Sequence, residues 1–383
     1  MKDESRKFLE QSYEKLQGYL LECAQRAKTV LKNGIETIAS SEGHYYGIWP
    51  DDFLFPHIVC PQLADVGKLA GVMEFLTESV VDLERVPDRV EPDGLPIMFP
   101  GWYDCPIGGR MPAHLPAAWV RLLSYMEEWG INIPRKDRWA RVIKRSFEQV
   151  SFSCGLVYID PQKPYVGFGY QDNIAITGFT LMSSCAIYRG LQRAVELFRD
   201  YLPEGLLNYW RDLAQGIKAN LFRLYDDKIG GFVAGSKDCH QFDVWGNGLV
   251  YGLTDDENIK NKIQDSYLRN WDRIIRFGFT RQIAEEKGWQ RLLVSAELGK
   301  YMNGGYWSTG TGYILPVVFA ADEGRAINLL KELLENLPRF HFAEWVDAQG
   351  KEESSAKCFL MGIAIPMLGI KAILEDKPLI NYF

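Results

Sequence analysis

The chain has 383 residues, 47% hydrophobic and 24% charged, the composition of an ordinary globular protein with material for a large core. Its net charge of −7 and pI of about 5.5, with no block of Lys or Arg, argue against nucleic acid or an anionic membrane as partner. No stretch reaches the roughly 18 apolar residues that span a bilayer, and the charged start Met1-Lys2-Asp3-Glu4-Ser5-Arg6-Lys7 lacks a signal-peptide core, so a cytoplasmic location is expected.

Taken in chain order, the dominant period is helical. Phe8, Tyr13, Leu16, Leu20, Ala24, Ala27 and Val30 recur at three- and four-residue steps and predict one long helix over 5–38. Similar stripes predict helices over 62–81, 115–129, 136–150, 173–200, 204–225, 242–253, 257–277, 311–321, 324–337 and 355–375. Short Gly/Pro turns, such as Trp129-Gly130-Ile131-Asn132-Ile133-Pro134, alternate with six long connections rich in Gly, Pro and aromatics, at 40–61, 87–114, 151–172, 226–241, 280–310 and 340–354. Strand-like runs such as Gly155-Leu156-Val157-Tyr158-Ile159 and Gly230-Gly231-Phe232-Val233-Ala234 fall inside them. Helices joined alternately by short turns and long loops describe an all-α toroid of six hairpins, (α/α)6, as one domain over 1–383. Its long loops and short β-ribbons would gather on one face. The seven cysteines are scattered and never in a CxxC spacing, as expected of buried reduced thiols.

Long loops in a compact domain are where chemistry is sought. The first, His44-Tyr45-Tyr46-Gly47-Ile48-Trp49-Pro50-Asp51-Asp52-Phe53, offers Tyr46 and Trp49 as a stacking platform, with Asp51 and Asp52 either as hydroxyl-binding groups or as helix caps. The second supplies Trp102, Asp104, Arg110, a clamp for a carboxylate or hydroxyls, and His114, which sits before a helix and is read as cap or ligand group. In the third, Gly169-Tyr170-Gln171-Asp172-Asn173 surrounds Asp172 with aromatic and amide groups. Asp172 is either the N-cap of the next helix or an acid whose pKa burial raises. The fourth holds Asp243, again cap or ligand group, and Trp245. The fifth, Asn303-Gly304-Gly305-Tyr306-Trp307, reads as a rigid turn presenting Asn303, Tyr306 and Trp307 to a polyol, since it lacks the spacing and lysine of a phosphate-binding loop. The sixth places Glu344 between Phe342 and Trp345, where a carboxylate is unfavourable unless it is used. No metalloprotease, EF-hand, dinucleotide, P-loop or nucleophile-elbow motif is present, so neither metal nor cofactor is expected and carboxylate acid/base hydrolysis is the simplest reaction class.

At these residues the chain resembles the six-hairpin glycosidases, (α/α)6-barrel hydrolases that include glucoamylase-like, trehalase-like and glucosidase-I-like groups. Trp49-Pro50-Asp51-Asp52 is similar to their first-loop W-x-R-D motif of the sugar subsite, with Asp51 where Arg is common. Gly169-Tyr170-Gln171-Asp172-Asn173 resembles the segment bearing their general acid, and Asn303-Gly304-Gly305-Tyr306-Trp307 a turn near their substrate. Phe342-Ala343-Glu344-Trp345 resembles the segment that carries the general base of the glucosidase-I-like group. The resemblance implies hydrolysis of a small oligosaccharide or glycoside with Asp172 as acid and Glu344 as base, by inversion if the carboxyls stand roughly 6.5–9.5 Å apart. The same toroid also carries unsaturated-uronide hydrolases, for which Arg110 would hold the uronate, and acylglucosamine-type epimerases, which depend on paired histidines. A catalytically silent carbohydrate-binding protein is the remaining alternative.

Overall fold

A computed structural model describes residues 1–99 and 110–383. Its helices are α1 (Asp3–Arg26), α2 (Pro50–Val59), α3 (Val66–Val80), α4 (Leu115–Glu128), α5 (Lys136–Glu148), α6 (Leu181–Leu197), α7 (Glu204–Asn220), α8 (Val244–Tyr251), α9 (Glu257–Arg269), the four-residue α10 (Trp271–Ile274), α11 (Ser308–Ala321), α12 (Glu323–Arg339) and α13 (Met361–Leu374). α2 packs on α4, α4 on α6, α6 on α8, α8 on α11, α11 on α13, and α13 back on α2, which closes an inner ring. The amphipathic α1, α3, α5, α7, α9 and α12 lie outside it, each burying one stripe and exposing the other. This is the six-hairpin (α/α)6 toroid, with α13 and α1 as the hairpin that joins the two ends of the chain. No helix among the described residues is long and apolar enough to cross a membrane.

Each two- or three-stranded antiparallel ribbon lies in a long connection that leads from an outer helix to the next inner one. The first replaces the end of the helix expected over 5–38. The chain leaves α1 at Ala27, where the β-branched Thr29 and Val30 pair with 36–38 around a turn at Asn33-Gly34. The connection expected at 40–61 contains α2. That helix shows no stripe because Phe53, Leu54, Phe55, Pro56, His57 and Val59 are buried on every side, so the polar half of the pattern is missing. Helix α6 starts at Leu181, not near 173, and α13 at Met361, not near 355. The described cysteines are unpaired; Cys154, in the turn between two strands, is exposed, unlike the buried thiol expected.

Inner helices approach one another through glycines. A Cβ on Gly312 of α11 would stand 2.0 Å from the Ile365 carbonyl oxygen of α13, and one on Gly369 would stand 2.7 Å from the Gly312 carbonyl oxygen. Since the obstacle is backbone, it cannot turn away. Gly312→Ala is therefore expected to destabilise the fold by about 3 kcal/mol or more, through overpacking. Gly18→Ala, on the exposed face of α1 with nothing near the added methyl, should instead stabilise by up to about 1 kcal/mol. Urea unfolding of both variants checks the pair, and a neutral Gly312→Ala would show that the ring does not close through this contact.

Candidate active site

The long connections converge on one cavity of about 410 Å³. Tyr45, Trp49, Asp51 and Asp52 come from the first connection and the start of α2, Asp88, Arg89 and His114 from the second, Tyr170 and Asp172 from the third, Tyr301 from the fifth, and Glu344 and Phe359 from the sixth. The proposed acid and base thus face the same space. So do Trp49, Asp51, Asp52, His114 and Tyr170.

Asp172 ends a single 3-10 turn, Gly169–Gln171, and does not cap a helix, since α6 begins nine residues later. Its two carboxyl oxygens accept from the Tyr301 hydroxyl at 3.0 and 3.1 Å. Glu344 lies on an extended segment that pairs through Val346 with Tyr306. The alternation of side chains along it turns Glu344 into the cavity and Trp345 to the other side. The Ser354 hydroxyl donates to Glu344 Oε2 at 3.0 Å, and the Tyr45 hydroxyl approaches at 3.4 Å. Burial pushes the Asp172 carboxyl up to about 7, against the lowering effect of the Tyr301 hydroxyl. It pushes Glu344 up to about 8, against the Ser354 hydroxyl and with a further rise from the charge of Asp172. Burial is thus the main cause of both shifts, with the Asp172 charge adding to that of Glu344, and between about 7 and about 8 the pair holds about one proton.

The other acids divide by partner. Asp51 accepts from the buried Arg121 guanidinium at 2.6 Å. Asp88 accepts from Trp49 Nε1 at 3.1 Å and from Arg89 at 3.3 Å, while the Arg89 guanidinium lies over the Trp49 ring, 4.8 Å from its centre. Asp52 accepts from the Tyr170 hydroxyl at 3.0 Å, and burial pushes it up to about 7. His114 is buried against Phe168 and is driven down to about 3 by that burial and by the Arg121 charge, so it is a neutral imidazole.

Several residues expected to touch substrate do other work. Gln171 is buried and donates to Asp243 at 3.1 Å, and Asp243 caps α8 through the Gly246 N–H. Asn303 fastens its own loop, accepting from Trp289 N–H and donating to the Ala296 carbonyl. Tyr306 donates to the Arg273 carbonyl, Trp307 to the Tyr301 carbonyl, and Trp245 to Thr280. Tyr46 is 48% exposed while its neighbour Tyr45 lines the cavity. Arg110 is exposed and stacks on Tyr165. Trp102 and Asp104 lie outside the described residues. Sequence reasoning missed Tyr45, Asp88, Arg89 and Tyr301. The last stands two residues before Asn303 and belongs to the same turn. Among the described residues no group of three or more His, Cys, Asp or Glu is arranged to hold a metal ion.

No protein-family model matches the chain, and no curated protein is significantly similar to it in sequence. Solved structures are similar in fold. A mannosylglycerate hydrolase from Thermus thermophilus, in complex with Tris and D-glycerate, superposes with a TM-score of 0.62 at 12% identity, over 92% of this chain and 99% of that one. A rhamnosidase from Klebsiella oxytoca with rhamnose bound gives 0.60 at 13%, over 95% and 64%. A bacterial glucoamylase in complex with acarbose gives 0.60 at 15%, over 89% and 51%. The chain therefore has the six-hairpin toroid of these glycosidases.

Raised carboxyl pKa values are also a statement about stability. Asp52 is raised from an ordinary value near 3.8 to about 7, so the folded state favours its protonated form. That contribution is fully present below the unfolded pKa and is lost as pH rises through about 7. Asp52→Asn, which cannot ionise, is expected to be more stable than the parent by on the order of 2 kcal/mol above this window and about equal to it at the acid end. Thermal melts at both ends check the sign, and a variant that is destabilised only in the alkaline range contradicts it.

Proposed function

We propose that this protein is a glycoside hydrolase acting on a small oligosaccharide or glycoside, with the whole toroid as one catalytic domain. The observation that carries the reading is that Asp172 and Glu344, brought by loops of different hairpins, face one cavity without a cationic partner and share about one proton near neutrality. A pair poised in this way supplies one protonated and one ionised carboxyl. The resting order, about 8 for Glu344 against about 7 for Asp172, places the shared proton on Glu344. The roles that follow rest on the motif resemblance and require the proton to stand on Asp172 when substrate is bound. Asp172 takes the role of acid, as the similarity of Gly169–Asn173 to the acid-bearing segment implies, and Glu344 is the base that activates water on the opposite face, giving inversion. Tyr301 and the Ser354 hydroxyl hold the two carboxyls in place. Trp49, backed by Asp88 and Arg89, and Tyr170 on Asp52 form the walls of the sugar subsite.

Two other chemistries on this fold are less well served. A uronide hydrolase would need a free cation for the uronate; Arg110 does not line the cavity, and Arg89, which does, is engaged by Asp88 and Glu91. Epimerases need paired histidines as acid and base. His44 and His114 both line the cavity, but His114 is held too far below neutrality to exchange a proton there.

The roles separate kinetically. Asp172→Asn is expected to lose about 10²–10⁴-fold on glycosides with poor leaving groups and much less on aryl glycosides that need no proton, whereas Glu344→Gln should lose as much on both. The pH profile of the parent should be a bell between about 7 and about 8, falling on the acid side as the second carboxyl protonates and on the alkaline side as the last proton leaves. Proton NMR of the first-formed anomer reports inversion. Full turnover by either variant, or release of the retained anomer, would remove the corresponding part of the mechanism.

A further inference from the structure

Among the described residues five carboxylates line the cavity, and their counter-charges are unevenly placed. Asp51 has Arg121 at 2.6 Å, and Asp88 has Arg89 at 3.3 Å, a guanidinium it shares with Glu91 at 2.6 Å. Asp172 and Glu344 are the proposed acid and base. Asp52 has no cation and no part in proton transfer, and so far serves only to hold the Tyr170 wall. Its partners are the hydroxyls of Tyr170 and Ser40, and among the described residues no Lys, Arg or His stands within ion-pair distance of it. The position immediately before it, where the related motif carries Arg, is Asp51, whose carboxylate is engaged by Arg121 from α4. The same cavity is lined by His114, 7% exposed, neutral, and with a buried Nδ1 that has no partner. The charge in this space that no cation compensates is therefore negative, and it is contributed by Asp52 beside the proposed acid and base.

A third buried carboxylate without a cation is unfavourable in an enclosed site. A neutral hydroxyl placed against it replaces water by an equivalent donor. An anion adds repulsion. An ammonium group forms a charge-assisted bond and relieves the field of the other two carboxyls as well.

We propose that Asp52 selects the substrate by charge: the site takes glycosides whose glycone carries a protonated amine, of the hexosamine type, in preference to the hydroxyl analogue, and refuses uronic acids and sugar phosphates. This rests on the glycosidase reading of the cavity and adds to it the class of glycone. Asp52 is a specificity-determining residue in this scheme and takes no part in proton transfer.

Three small polyols of similar shape test the charge term without knowledge of the sugar's stereochemistry: Tris, neutral pentaerythritol and anionic 2,2-bis(hydroxymethyl)propanoate. Their affinities for the full chain are measured by calorimetry near neutral pH in a non-amine buffer at fixed ionic strength. Tris is expected to bind at least about ten-fold more tightly than pentaerythritol, with no binding of the carboxylate. Asp52→Asn should bring Tris and pentaerythritol within about two-fold of each other, and Asp52→Glu should keep the preference. Equal binding of Tris and pentaerythritol by the parent, absence of Tris binding, or binding of the carboxylate would overturn the proposal. So would a ten-fold preference that survives in folded Asp52→Asn, since the selectivity would then belong to Asp172 and Glu344. If Asp52→Asn does not fold, the parent's ranking and the Asp52→Glu variant still decide. Because binding is read without turnover, a selective but inactive protein refutes only hydrolysis, and an active but unselective one refutes only the role given to Asp52.

Discussion

The crossing of α11 and α13 at Gly312 and Gly369 is the contact on which the rest of the molecule depends. Six inner helices can close a ring only if neighbours approach to backbone distance somewhere, and here the approach is made at positions without side chains. Gly248 of α8 plays the same part against the Tyr313 carbonyl of α11, and Gly190 of α6 against Ala117 of α4. Once the ring is closed, every long connection must run from an outer helix to the next inner one. Five of them reach the cavity directly, and the fourth reaches it through the Asp243–Gln171 bond beneath Asp172.

The cavity sorts its carboxyls by the donors that the fold supplies. Burial raises all five; where the donor is a guanidinium, as for Asp51 and Asp88, the arginine works against that rise and the carboxylate is held in an ion pair. Where it is a hydroxyl, as for Asp52, Asp172 and Glu344, no cation offsets the desolvation and the carboxyl is raised to about 7 or 8. Hydroxyl donors orient a carboxyl without fixing its charge, which suits the parts proposed for Asp172 and Glu344 in proton transfer and leaves Asp52 free to answer to a ligand's charge. The arrangement is unfavourable for folding at neutral and alkaline pH, the usual relation between a reactive site and stability. Arg121 is the exception that sharpens the rule. It is almost fully buried, lies between Phe55 and Phe383, and leaves Nε and one terminal nitrogen without partners so that one nitrogen can hold Asp51.

Much of this was legible in the sequence, and the gaps have physical causes. Alternating short turns and long aromatic loops gave the toroid because an outer helix must show a stripe and a connection must show turn residues. Helix α2 was not legible, since an inner helix buried all round has no polar face to mark its period. Asp172 and Glu344 stand out in the sequence as carboxylates among aromatics, and both line the cavity. The residues that hold them did not stand out. Tyr45 and Tyr46 are indistinguishable in a string, and only the path of the chain past Glu344 turns one inward and leaves the other in solvent. Asp88 and Arg89 lay in a charged stretch that reads as solvated surface until Trp49 is seen to sit on it.

The aromatic loops themselves carry less sugar and more scaffold than their composition suggests. Tyr301 packs on Trp307 at 5.3 Å between ring centres, Trp307 on Trp245 at 6.1 Å, and Trp245 is stacked on Tyr313 at 5.6 Å and 8°. Tyr313 in turn meets Phe383, which meets Phe55 of α2. A continuous pile of rings therefore runs from the inner-ring helix that opens with Asp51 and Asp52 to the hydroxyl that donates to Asp172. Each ring is held by its neighbours and by hydrogen bonds to Thr280 and to the Tyr301 carbonyl, so the Tyr301 hydroxyl has little freedom to turn away. A donor fixed in advance adds no reorganisation when the charge on the carboxyl changes, and that is how packing deep in the toroid would serve the acid/base chemistry proposed for Asp172.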